Sequence, residues 1–81
     1  MKLTELKLGE LAVIDDINGN DEFIKRFLDF GIERGRTIKF IKKAPLLDPL
    51  LYEIENLRVV IRREYAEKIE VKRERNISVN R

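Results

Sequence analysis

The chain has 81 residues, 40% of them charged and 43% apolar, and its 17 Lys+Arg against 15 Asp+Glu leave a formal charge of +2. One small domain is the expectation, with a radius of gyration of roughly 12 Å. The absence of Cys and His removes thiol and imidazole chemistry, so a Ser-His-Asp triad, a cysteine nucleophile, a thiolate zinc site and a redox pair are all excluded.

The opening residues Met1 to Leu6 are charged and lack the apolar stretch of a secretory signal. No apolar run reaches the roughly 18 residues that cross a bilayer, and a cytoplasmic location is the expectation. Leu11-Ala12-Val13-Ile14 is a short apolar run between Gly9 and Asn18-Gly19-Asn20, which predicts a strand over 10–17. The period then changes. Phe23, Ile24, Phe27 and Leu28 share one face of a helix over 21–30, with Asn20 or Asp21 as its cap and Gly31 as its left-handed stop. That stop makes Ile32 the residue that packs back on Phe27.

Past a turn at Gly35, residues 36–42 alternate, with Ile38 and Phe40 inward. Ala44-Pro45-Leu46-Leu47-Asp48-Pro49 is a loop stiffened by two prolines. Leu50, Tyr52 and Ile54 face inward on the next strand, Asn56 is the residue expected to take positive φ in a hairpin, and Leu57, Val59 and Ile61 face inward on the return. Residues 64–68 support a helical turn only, and Ile69 to Lys72 close as a last strand. The prediction is mainly β: a small SH3-like barrel of about five strands, closed or nearly so, occupying residues 1–72, with a charged tail over 73–81 that frays.

Several segments line up in order: Leu6-Lys7-Leu8-Gly9-Glu10, Phe27-Leu28-Asp29-Phe30-Gly31-Ile32, Gly35-Arg36-Thr37-Ile38, the Ala44-Pro45 to Asp48-Pro49 loop, and Ile61-Arg62-Arg63-Glu64-Tyr65-Ala66-Glu67-Lys68-Ile69-Glu70-Val71. Together, over about residues 3–72, they resemble the FeoA family of bacterial ferrous iron transport. Leu8 and Arg34 stand where that family usually has Pro before Gly, Leu47 where Gly is common, and Tyr65 where a smaller or acidic residue is usual. The resemblance implies an SH3-like domain that acts by contact rather than catalysis. It implies a partner, the cytosolic region of the FeoB GTPase permease. It also implies kinship with the C-terminal domain of metal-dependent repressors, where such a domain makes protein contacts.

Candidate contact residues follow from exposure and charge. Leu46, Leu47 and Leu51 flank Asp48-Pro49 and are either a lid on the barrel end or an apolar patch for a partner. Leu50 is in phase with the core. Phe30 is off the helix stripe and so is an interface candidate. Arg34, Arg36, Lys39, Lys42 and Lys43 form a basic segment without an acid, which is the solvated face of a strand or a surface for an acidic partner. Charge is also uneven along the chain: residues 1–24 carry two basic and six acidic side chains, and the rest fifteen and nine. Nucleic-acid binding is a lesser alternative, since the aromatic within the basic segment, Phe40, is predicted inward. Self-association through the apolar patch is another. Asp15-Asp16 and Asp21-Glu22 are hard oxygen groups suited to Mg²⁺ or Ca²⁺ rather than Fe²⁺, but a strand end and a helix N-terminus account for them. No metal or cofactor is expected.

Overall fold

Period-two burial sets the strands in the computed structural model, which describes residues 1–43, 45 and 47–73. They are β1 (Leu11–Ile17), β2 (Thr37–Lys43), β3 (Leu50–Ile54), β4 (Leu57–Ile61) and β5 (Ile69–Arg73). Helix α1 (Asp21–Asp29) follows β1, and α2 (Arg63–Ala66) joins β4 to β5. The five strands form one antiparallel sheet in the order β4-β3-β2-β1-β5. Register shifts between Ile14 and Asp16 and between Phe40 and Lys42 bend the sheet, as bulges do. The result is the SH3-like architecture that the alternation predicts, with a Cα radius of gyration of 12.2 Å. β4 and β5 are its two edges, and among the described residues no ladder joins them.

The inward residues make one core. Ala12, Ile14, Ile38, Phe40, Leu50, Tyr52, Ile54, Ile61, Ile69 and Val71 are buried as their strand phase requires. A short 3-10 turn, Leu3–Glu5, adds the buried Leu3 and Leu6. The sequence pattern did not mark this turn, because two leucines three apart are too little for a period. The Tyr52 hydroxyl donates to the Leu3 carbonyl at 3.5 Å. Burial there pushes the phenol's ionisation far above its usual value.

α1 is built as its sequence predicts. The Asn20 side chain accepts the Phe23 N–H at 2.9 Å, and Asp21 and Glu22 occupy the first turn. At the other end Gly31, at φ 83°, donates to the Leu28 carbonyl, and Ile32 donates to that of Phe27. This reciprocal pair is the Schellman stop, and it carries Ile32 into the core beside Phe27.

Arg73, expected to begin the frayed tail, instead extends β5 opposite Ala12, and the rest of that expected tail lies outside the described residues. Three further expectations fail. Leu57 keeps the inward phase of its strand, yet it is 69% exposed. It sits at the hairpin tip opposite Ile54, past the end of the core. Leu28 is half exposed, because a nine-residue helix buries only the strip around Phe27. In the hairpin, the left-handed residue is Glu55, at φ 51°, rather than Asn56.

Gly19 makes a close approach possible. Its φ is 148°, and a Cβ placed there would lie 2.6 Å from the Phe23 ring. Gly19→Ala is expected to lower the unfolding free energy by about 1–2 kcal/mol, measured by urea titration. Near-ultraviolet dichroism should report the displaced ring.

Candidate functional site

Among the described residues two surfaces stand out, the first built on an aromatic cluster. α1 presents Phe23 and Phe27 to α2, where Tyr65 meets them. Ring centroids lie 4.7 Å apart for Phe23–Phe27, 5.2 Å for Phe23–Tyr65 and 6.5 Å for Phe27–Tyr65. The edge-to-face geometry of Phe23–Phe27 and Phe27–Tyr65 is favourable beyond simple burial, and Phe23–Tyr65 is tilted. Lys68 Nζ sits 5.9 Å from the Phe23 ring centre. The cluster therefore packs α1 against α2.

Between that helix and β4 lies a groove of about 580 Å³. Phe23, Phe27, Phe30 and Tyr65 give it an aromatic wall, and residues 58–62 form the opposite one. Phe30 is 63% exposed at its rim. Arg26, Arg58 and Arg62 also line it, and among the described residues none of the three joins a salt bridge. The sequence offered Phe30 as an interface candidate but not the groove, because α1 and β4 are about thirty residues apart in the chain. The departure at Tyr65 was its one sequence signal.

The outer face of the sheet is a second surface, continuous with the first through β4. Cross-strand register places Lys42 beside Leu51 and Leu51 beside Val60. The neighbouring row runs Lys39, Glu53, Arg58. Leu51 is half-buried and Val60 is 61% exposed. The structure thus brings together the predicted Lys39, Lys42 and Leu51, and adds Val60 and Arg58.

The other predicted residues are dispersed. Arg34 pairs with Asp16 at 3.8 Å and donates to the Asp15 carbonyl. Arg36 bridges Glu33 at 2.7 Å and Glu55 at 2.9 Å. The Glu33 hydrogen bond, with the charge of Glu55, raises the Arg36 pKa further. Positive charge at the start of β2 is thus locally balanced, whereas Lys42 and Lys43 stay exposed at its end. Lys43 lines a small cleft with Leu8 and Arg63. Phe40 is buried, so no aromatic stands among the basic side chains of that strand. The acidic cluster has its own partners, since Lys72 lies 3.8 Å from Asp15.

Leu47 is 54% exposed and sits at φ 67°, a strained region for leucine. Leu46 lies outside the described residues. The loop is tied down next to it. Asp48 accepts the Arg63 N–H at 2.8 Å, and the Arg63 guanidinium donates to the Leu47 carbonyl at 2.9 Å. Asp48 thereby caps α2, whose own N-cap, Arg62, makes no side-chain cap. At the far end of the sheet Glu10 pairs with Arg73. The Lys7 N–H, aided by Arg73, holds the Glu10 carboxyl below its ordinary range.

Comparison with known proteins agrees with this geometry. Residues 1–73 match the FeoA domain. A Porphyromonas gingivalis protein named Fe(2+) transport protein A/Fe(2+) transporter FeoB fusion protein is 46% identical over 71 residues. That match takes in 88% of this chain but only 8% of the fusion protein. Among solved structures, the FeoA protein of Chlorobium tepidum superposes with a TM-score of 0.84 at 34% identity, over 90% of this chain and 70% of its own. Stenotrophomonas maltophilia FeoA, described as a prokaryotic SH3 domain protein and solved with zinc, gives a TM-score of 0.76 at 28% identity, over 93% of this chain and 96% of that one.

Proposed function

The chain belongs to the FeoA family, and we propose on that basis that it is a non-enzymatic accessory protein of ferrous iron uptake, docking by protein contact on the cytosolic region of a FeoB permease. The observation that carries the reading is the fusion relative, in which transport protein A and the FeoB transporter share one polypeptide. A covalent link keeps two domains at high effective concentration. Where the two are separate chains, surface contacts must do the work of that link. This chain has suitable surfaces: the Leu51–Val60 pair on the outer sheet, the exposed Leu47 and Phe30, and the basic side chains Lys39, Lys42 and Lys43. Apolar area contributes affinity, while the exposed ammonium groups speed and orient encounter. Arg34 and Arg36 serve as braces within the domain more than as contacts, since both are paired. The absence of His and Cys supports a role without bond-making chemistry.

Titration of the chain against the permease's cytosolic region tests this. Saturable binding is expected, and no binding at about ten micromolar, near the middle of the affinity scale, overturns the reading. Leu47→Gly separates contact from folding. Glycine accepts φ 67° without strain, so stability should hold or rise by up to about 1 kcal/mol. Affinity should fall about tenfold, as when a contact hot spot is truncated. Undiminished binding by this variant would remove the loop from the contact surface.

A further inference from the structure

We infer that the free edge of β4 is a strand-addition site for an extended, acidic segment of the partner, which it seats between β4 and α1. The inference rests on the docking reading for its partner and adds the chemistry of the segment that is bound.

Four observations carry it. First, β4 is a terminal strand of the sheet, paired with β3 alone. The two-residue turn at Glu55-Asn56 makes Ile54 and Leu57 the closing pair. Antiparallel alternation then turns the N–H and C=O of Arg58 and Val60 away from β3. Among the described residues, no turn, loop or cap uses those groups. Second, the space beside this edge is the roughly 580 Å³ groove with its aromatic wall. An added strand lies about 4.8 Å from β4, within that space. Third, strand alternation gives the added segment two faces. Side chains on its inner face meet the groove with Val59, Phe30 and Tyr65, and those on its outer face run beside Arg58, Val60 and Arg62. Fourth, Arg58, Arg62 and the groove's Arg26 have no salt-bridge partner among the described residues, although Glu53 stands across the ladder from Arg58. Alternating acidic and apolar residues satisfy both faces.

Charge disfavours the other occupants. In antiparallel pairing of two copies centred on Val60, Arg58 of one copy faces Arg62 of the other, and like charges directly opposite are destabilising. The chain's own residues 74–81 hold one acid, Glu74, against Arg75 and Arg81, so they offer those arginines no net negative charge.

The probe is a capped heptapeptide of sequence Glu-Val-Glu-Phe-Glu-Val-Glu, titrated into the isotope-labelled chain, with a lysine-for-glutamate counterpart as control. The expected result is movement of the Arg58 and Val60 amide resonances, hydrogen exchange at both slowed at least about tenfold, which reports new backbone hydrogen bonding, and no binding by the lysine peptide. Arg58→Glu/Arg62→Glu should weaken binding at least tenfold while far-ultraviolet dichroism stays unchanged. Val60→Pro removes an outward N–H without taking a bond from β3 and should also weaken binding. Unchanged β4 amides, equal binding by the lysine peptide, or an unaffected arginine double variant would overturn the inference. The same amides are then followed with the permease's cytosolic region. Binding that leaves β4 unprotected overturns this inference and leaves the docking reading standing. Failure of that region to bind, with the peptide still seated on β4, overturns the docking reading and supports the edge site.

Discussion

Phe27→Ala is expected to lower the unfolding free energy by about 3–5 kcal/mol, the usual cost of truncating a buried phenylalanine. A domain of this size has about 4–12 kcal/mol in total, and the melting temperature should drop by about 12 °C or more. Three losses coincide. Phe27 is the one buried residue of α1, it packs edge-on against Phe23 and faces Tyr65, and its removal leaves a cavity under the Schellman stop that holds Ile32. Leu28→Ala is the internal control. That side chain is half exposed, and its truncation should stay within about 0.5 kcal/mol. Comparable losses for the two variants, in urea or thermal unfolding, would show that α1 is not anchored through Phe27.

The largest functional effect should come from Leu51→Thr/Val60→Glu. These side chains are cross-strand neighbours on the outer face, flanked by Lys42. Neither belongs to the core cluster, and threonine suits a strand. The carboxylate at position 60 stands two residues from both Arg58 and Arg62, so it is well accommodated in the free protein. In a complex the same carboxylate must be desolvated against apolar partner surface and would neutralise the arginines that an acidic segment needs. Affinity for the permease's cytosolic region should fall more than tenfold, about 1.4 kcal/mol or more. Stability should change by less than about 1 kcal/mol. Calorimetric titration beside a melting curve checks both. Full affinity with an intact fold would move the docking surface off β3 and β4.

Most of the architecture was legible because strands and helix ends write themselves locally. Alternation placed Ile38, Phe40, Leu50, Tyr52 and Ile54 inward, and each is buried. Asn20 and Gly31 marked the ends of α1, and the cap and Schellman bonds stand there. The candidate site was less legible. Phe30 was identified from its place off the helix stripe. The aromatic groove was not, because Phe27, Tyr65 and Val60 come together only when β4 is followed by α2 and α1 is laid against both. The basic segment read as continuous along the chain. In space Arg34 and Arg36 find Asp16, Glu33 and Glu55, and of those acids Asp16 and Glu55 lie 18 and 19 residues away from their partners along the chain.

Composition alone removed thiol and imidazole chemistry, since no arrangement in space supplies a side chain that the chain lacks. Periodicity alone assigned the inward face of β2 and β3, since phase is a property of adjacent residues. Folding decided which charges are neutralised, which apolar side chains stay uncovered, and which strand lacks a neighbour. Leu57 and Val59 share one strand and one phase, yet the first overhangs the hairpin tip and the second packs on the core. Exposure depends on what the rest of the sheet places alongside, and that is set by contacts between residues far apart in the chain.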